Sequence, residues 1–370
     1  MRYHDFKECH LSALGLGCMR LPVLNEKDDQ IDVVKTEEIV DYALKHGINY
    51  FDTAWRYHSG NSETVMGQIL SKYPRGSYYL ATKFPGFSPE MFENGRTIFQ
   101  EQLQKCRVDY FDFYLLHNVA EKNIDRFISP EYGIVEYLIQ QKHLGKIRHL
   151  GFSTHGSLHT IRRFLDAYGS ELEFCQIQLN YLDWQLQNAK AKVELIRSYG
   201  LDVWVMEPVR GGRLATLPEE TMQRLRKYRP NETAPGWAFR FLQTVPGIKM
   251  ILSGMSNMQQ LQENIETLSD NQPLNEEEWS VLSEIAADMI QGNAIPCTGC
   301  SYCTEYCPQE IKIPHILQLY NEKDWSESPD CVGCRSCENV CPQGISIAAH
   351  MEAYKAHRTK KFHVFYQDSL

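Results

Sequence analysis

Residues 48–83, INYFDTAWRYHSGNSETVMGQILSKYPRGSYYLATK, hold two short apolar runs, Ile48–Asp52 and Tyr78–Lys83, whose starts lie 30 residues apart. That distance is what a strand, a crossover helix and two loops need in a parallel βαβ unit. Further runs follow at Asp112–His117, Ile147–Ser153, Phe174–Asn180, Asp202–Glu207 and Ile248–Gly254, with starts 34, 35, 27, 28 and 46 residues apart. With Leu14–Met19 they make eight strands. Between them the period lengthens to that of a helix: Thr36 reads as a cap for a helix with Ile39, Val40, Ala43 and Leu44 on one face and Gly47 past its end. Leu158, Ile161 and Leu165 repeat the spacing, as do Ile134, Val135, Leu138 and Ile139. Eight such units in about 250 residues predict an α/β fold, a (β/α)8 TIM barrel. The competing architecture, an open doubly wound sheet, calls for a G-x-G-x-x-G turn opening a helix. Gly15-Leu16-Gly17 offers only G-x-G and runs into Pro22.

Beyond Asn264 comes an acidic, helix-like stretch, Asn275–Ile290, and then a seam at Gly292–Pro296. Past it stand two runs, CTGCSYCTEYCP and CVGCRSCENVCP. They place Cys297, Cys300, Cys303 and Cys307, then Cys331, Cys334, Cys337 and Cys341, each set in the pattern C-x2-C-x2-C-x3-C-P. Each cysteine of the second run follows its counterpart by 34 residues, so one unit is duplicated. Zinc knuckles also use C-x2-C pairs, but three cysteines at x2 intervals plus a fourth, twice over, exceed what two knuckles take. The pattern predicts two 4Fe-4S clusters. The run resembles bacterial-type two-cluster ferredoxins over residues 292–348. That resemblance implies crossed ligation, with Cys297, Cys300, Cys303 and Cys341 on one cluster and Cys331, Cys334, Cys337 and Cys307 on the other. The expected domains are a barrel over 1–290, a small ferredoxin-like iron-sulfur domain over 291–350, and a tail over 351–370.

Composition sets the remaining bounds. The 370 residues are 43% hydrophobic and 23% charged, the balance of a soluble globular chain. A net charge of -9 supplies no broad positive field for nucleic acid or anionic lipid. The only basic cluster, around Arg358, Lys360 and Lys361, reads as a solvated tail. Residues 1–10 lack the apolar stretch of a secretory signal, and no segment nears the roughly 20 apolar residues of a membrane span, so a cytoplasmic location is expected. Of twelve cysteines, Cys9, Cys18, Cys106 and Cys175 are scattered and read as buried thiols.

In a (β/α)8 barrel the chemistry sits at the C-terminal ends of the strands. Three apolar runs end on Asp52, Lys83 and His117, and Tyr57 follows the first of them. Singly they have ordinary explanations: a helix cap, a surface lysine, a core histidine, a loop aromatic. Jointly they make a proton-donating site. An ammonium beside a phenol favours the phenolate, so Lys83, held by Asp52, is expected to lower the pKa of Tyr57, which protonates a carbonyl oxygen while His117 orients it.

These residues carry a second resemblance. Gly15 to Pro22, Asp52-Thr53-Ala54 with Tyr57, Ala81-Thr82-Lys83, Leu115-Leu116-His117 and Gly151-Phe152-Ser153 are similar to the aldo-keto reductase superfamily over residues 10–265. The resemblance implies a catalytic tetrad of Asp52, Tyr57, Lys83 and His117. It implies NAD(P)(H) as cofactor, with Ser153 and Gln176 at the nicotinamide carboxamide and Glu263 and Asn264 at the adenine. The loop Glu207–Arg213, including Val209, Arg210 and Gly212, would cover the pyrophosphate. Thr154 replaces the family's usual Asn, Met206 stands where an aromatic ring often stacks, and residues 254–260 lack the bases that grip a 2′-phosphate. Trp55, His58 and Trp184 are candidates either to line the mouth or to pack.

Hydride chemistry moves electrons in pairs and clusters move them singly, which leaves three arrangements open. Clusters could exchange electrons with a carbonyl or alcohol substrate, or with an added flavin; they could support an NAD(P)H-dependent carbonyl reductase; or the barrel could be a non-catalytic electron-transfer subunit. A redox partner protein belongs to the first and third.

Overall fold

The computed structural model describes the backbone of residues 1–291 and 295–367 and the side chains of 1–290 and 295–359. The eight expected strands are all present: β3 (Leu14–Gly17), β4 (Tyr50–Asp52), β5 (Tyr79–Phe84), β6 (Phe111–Leu116), β7 (Ile147–Thr154), β8 (Phe174–Gln178), β9 (Asp202–Met206) and β10 (Ile248–Ser253). They close into a parallel barrel, with β10 pairing β3. A hairpin of β1 (Tyr3–Phe6) and β2 (Cys9–Ser12), which the sequence did not announce, precedes them.

The hairpin plugs the barrel floor. Phe6, Cys9 and Leu11 join Tyr50, Phe113, Phe174, Trp204 and Met250 in one buried cluster. Phe6 meets Trp204 edge-on at 4.8 Å between ring centroids. Rings of this size leave no room for side chains beside them: a Cβ at Gly151 would sit 2.6 Å from Phe174. The interior is thus a filled core, and only the opposite end is free for chemistry.

The first barrel helix is Val33–Lys45, and Asp32 rather than Thr36 caps it, accepting from the Lys35 amide at 3.1 Å. Thr36 lies one turn in, buried, and donates to the Asp32 carbonyl. Two capping residue types one helical turn apart, Asp32 and Thr36, shifted the expected start. Gly47 follows the helix at φ +90, as expected.

Residues Gly292, Asn293 and Ala294 of the expected seam lie outside the described residues. Ile295 already belongs to the second unit, where Ile311, Ile313, Ile316, Leu317, Ile345 and Ile347 form a separate small core. Helices Ile313–Glu322 and Ile347–Gln367 flank it. The boundary expected at 350 falls inside the latter helix: Met351 and Tyr354 are buried in the same core, so at least the start of the expected tail is structural.

Candidate active site at the barrel mouth

Parallel pairing brings the four tetrad residues to one end. Asp52 lies opposite Gly17 and Ala81, Lys83 opposite Leu115, and His117 follows β6 with its amide donating to the Phe84 carbonyl. Lys83, fully buried, donates to Asp52 Oδ1 at 2.5 Å, to the Thr53 carbonyl at 2.8 Å and to the Tyr57 hydroxyl at 3.3 Å. The Tyr57 ring meets His117 edge-on at 6.1 Å. Tyr57 reaches this place through a tight turn in which His58 and Ser59 take positive φ.

Burial sets the protonation of the group. Loss of water, followed by the Asp52 carboxylate, pushes the Tyr57 phenol well above its ordinary range. The expected lowering by Lys83 is thereby corrected: in the closed site burial dominates and the Tyr57 phenol stays protonated. Burial, then Lys83, pushes His117 well below the usual histidine range, so its imidazole is neutral. Asp52 is raised by burial, against the opposing pull of Lys83.

Asp52, Tyr57 and His117 line one cavity with Gln176, Glu207, Val209, Gly212, Glu263 and Asn264. Five buried polar atoms of its lining have no partner among the described residues: Asp52 Oδ2, His117 Nδ1, Asn118 Oδ1, Gln176 Oε1 and Glu207 Oε2. Such orphans are costly unless a ligand meets them. Acceptor oxygens predominate among them, so the groups present fit a ligand with N–H donors such as a carboxamide, while His117 can donate to its oxygen. Ser153 and Arg210 do not line this cavity. Ser153 Oγ accepts from the Asn118 amide at 2.9 Å. Arg210, fully buried, is paired with Asp183 at 3.0 Å and reaches the Pro296 carbonyl. Its expected place over a pyrophosphate is corrected: the guanidinium serves the packing beneath the loop.

Three aromatic candidates are likewise settled. Trp55 lies under the Lys105 ammonium, Trp184 packs against Phe241 and Trp279, and His58 accepts from the Leu21 amide. Thr154 donates to the Val119 carbonyl at 2.6 Å, and Met206 lines the cavity. Lys249 points to the floor, donating to the Asp5 carbonyl.

The roof of the cavity comes from the cysteine-rich unit. Thr298, Cys300, Tyr302 and Pro342 complete the lining. Arg20 donates to the Gly299 carbonyl at 3.1 Å and Lys122 to the Glu338 carbonyl at 2.7 Å, while Arg56 holds the Tyr306 hydroxyl. Gln343 ties the far side, donating to Gln178 Oε1 at 2.8 Å. Sequence inspection named Cys300 only as a cluster ligand and missed Thr298, Tyr302 and Pro342. The only signal was the duplication itself, which does not say where the unit docks.

Within that unit the cysteines gather in two sets. Cys297, Cys300, Cys303 and Cys341 surround one small cavity, and Cys307, Cys331, Cys334 and Cys337 another. Each set takes three cysteines from one run and the fourth from the other. This is the crossed arrangement of two-cluster ferredoxins, and four converging thiols suit iron-sulfur ligation.

Residues 13–287 match the model of the aldo/keto reductase family, and residues 296–345 match that of a 4Fe-4S dicluster domain. Among curated relatives, the NADH-specific methylglyoxal reductase of Escherichia coli is 28% identical over 75% of this chain and 95% of its own. The uncharacterized oxidoreductase YqkF of Bacillus subtilis is 24% identical over 76% and 95%. The holo form of aldo-keto reductase AKR11C1 from Bacillus halodurans superposes with a TM-score of 0.63 at 24% identity, covering 77% of this chain and 96% of that one. No helix among the described residues is long and apolar enough to cross a membrane.

Proposed function

Because the chain belongs to the aldo-keto reductase family and carries a 4Fe-4S dicluster domain, we propose that it interconverts a small carbonyl compound and its alcohol at the barrel mouth, with the cluster domain as electron carrier. The observation that supports this most directly is that Cys300 and Tyr57 line the same cavity. A nicotinamide in that cavity would supply hydride, and clusters on the two cysteine sets would supply single electrons.

The chain's own part is proton handling and positioning. Tyr57 is held protonated by burial, and its hydroxyl gives a proton to the substrate oxygen. Lys83, 3.3 Å away, stabilises the phenolate so formed. Asp52 and the Thr53 carbonyl hold that ammonium in place. The neutral imidazole of His117 orients the carbonyl without competing for the proton. Phe87, Met206 and Tyr302 give the cavity apolar walls that exclude water.

Around the expected adenine end stand Ser256, Gln260, Glu263 and Asn264; a carboxylate at this position disfavours a 2′-phosphate and supports NAD over NADP. The methylglyoxal reductase relative is named as NADH-specific, in keeping with both parts of the proposal.

Tyr57→Phe tests it. The variant should lose carbonyl reduction by about a hundredfold or more, the usual range for a lost general acid. Undiminished turnover would overturn the assignment of the proton donor. Stopped-flow mixing of reduced protein with methylglyoxal, read near 400 nm, tests the electron-carrier role, since clusters that only hold the roof in place would not change absorbance within a turnover.

A further inference from the structure

The twelve cysteines meet unequal surroundings. Within the cluster sets Cys334 is exposed and Cys303 is buried. Of the four outside them, Cys9 faces an imidazole: its Sγ lies 3.3 Å from His149 Nε2. Cys9 opens the second strand of the floor hairpin, and Glu8 stands in the turn before it. Glu8 Oε1 lies 3.4 Å from the same nitrogen, and one donor atom from each of the three residues falls within 4.8 Å of the others.

The imidazole is fixed for this meeting. His149 is buried in β7, its ring packed against Phe6 at 5.3 Å and Phe113 at 4.9 Å between centroids. Its Nδ1 lies 2.7 Å from Glu173 Oε2, and Lys142 holds the other oxygen of that carboxylate. A carboxylate only accepts, so the Nδ1 nitrogen carries the proton and the lone pair of a neutral ring sits on Nε2. That lone pair is turned toward Cys9 and the Glu8 carboxylate. A thiol proton can satisfy the nitrogen, but it leaves the carboxylate facing it without a donor. A cation held between the three satisfies all of them at once.

We propose that Glu8, Cys9 and His149 bind one zinc ion at the barrel floor, with water as the fourth ligand. A sulfur, a nitrogen and an oxygen donor suit zinc, whereas calcium and magnesium take oxygen alone. Zinc–sulfur bonds of about 2.3 Å and zinc–nitrogen and zinc–oxygen bonds of about 2.05 Å, at tetrahedral angles, hold sulfur about 3.5 Å and oxygen about 3.4 Å from nitrogen. The observed separations are 3.3 and 3.4 Å. Glu173 supplies what a ligating histidine needs behind it, a carboxylate that fixes the ring and its tautomer. The Glu8 side chain is 72% exposed, which gives the ion and its water a path from solvent. Binding breaks the Cys9 S–H bond, forms a zinc–sulfur bond and releases one proton to solvent. The occupied site ties the hairpin that plugs the floor to β7.

The test uses the full, cluster-loaded protein, passed over a chelating resin, with zinc chloride as probe. Calorimetry should give one tight zinc per chain with release of about one proton, and the ion should raise the unfolding temperature. Glu173→Gln should weaken binding by about ten- to hundredfold, the range for losing the partner behind a ligating histidine. Glu8→Gln should weaken it at least as much, and this exposed turn position keeps the test valid if Cys9→Ala fails to fold. Cobalt(II) in place of zinc should give the visible bands of a tetrahedral thiolate complex, lost in Cys9→Ala. Cluster absorbance and iron content should match the parent throughout, which separates this site from zinc on the cluster cysteines. No zinc bound at equimolar concentration would leave only a thiol–imidazole hydrogen bond and overturn the site. Zinc held equally well by Glu8→Gln and Cys9→Ala would mean an adventitious ion only and overturn it too.

Discussion

Lys83 shows how much a single buried ammonium decides. It holds Asp52, a backbone carbonyl and the Tyr57 hydroxyl at once, while Asp52 Oδ2 has no partner of its own. Lys83→Met should remove activity and cost about 3–5 kcal/mol of stability, the range for stranding one member of a buried pair. Adding Asp52→Asn should restore much of the urea midpoint but none of the turnover, because the neutral pair no longer leaves a buried charge. His155 gives a pH signature. Burial pushes it down to about 4 from 6.5, so across that window the unfolded chain binds a proton that the folded chain refuses. Its contribution to stability is therefore full above pH 6.5 and is lost progressively as the pH falls toward 4. The urea midpoint of His155→Gln should decline less over that interval than that of the parent. At the adenine end, Glu263→Arg should raise NADPH affinity at least several-fold, measured as the ratio of KM values, by exchanging a repelling charge for a pairing one.

Elements carry the second level of information, and not all of it is written locally. The eight barrel strands were legible because each is a buried apolar run with a fixed crossover distance, and strand-end rules then pointed to Asp52, Tyr57, Lys83 and His117. The β1–β2 hairpin was not legible, because its four-residue strands acquire meaning only when Phe6 meets Trp204 and Phe174 from distant strands. Phe6→Ala should cost about 3–5 kcal/mol, the range for emptying an aromatic site in a packed core, read from thermal or urea unfolding. The turn over residues 210–212 behaves similarly. Gly211 takes φ +64, and a Cβ there would lie 1.6 Å from the Thr298 carbonyl. Gly211→Val should force the cysteine-bearing loop off the mouth. Faster proteolytic cleavage between the barrel and the cysteine-rich unit and a raised substrate KM are the expected readouts.

On the scale of the whole molecule, the iron-sulfur unit is the roof of the cavity. Its existence followed from the repeating cysteine spacing, while the crossed ligand sets came from the resemblance to two-cluster ferredoxins. Its position did not, because docking rests on contacts such as Arg20 with Gly299 and Gln343 with Gln178, which join residues more than a hundred positions apart and have no periodic signature. The sense of the Tyr57 shift was missed for the same reason: enclosure by the second unit is a property of the assembled molecule.

The unequal exposure of the two cysteine sets also bears on how the protein ages. Oxidants and chelators meet Cys334 at the surface, whereas Cys303 is buried and Cys300 faces the barrel cavity. Damage should accordingly proceed in sequence. In air, half of the iron should leave rapidly and half slowly, and a molecule that has lost only the outer half should keep its site enclosed. Such a molecule would stay folded with one centre empty, and rebuilding that centre alone would restore its full iron content.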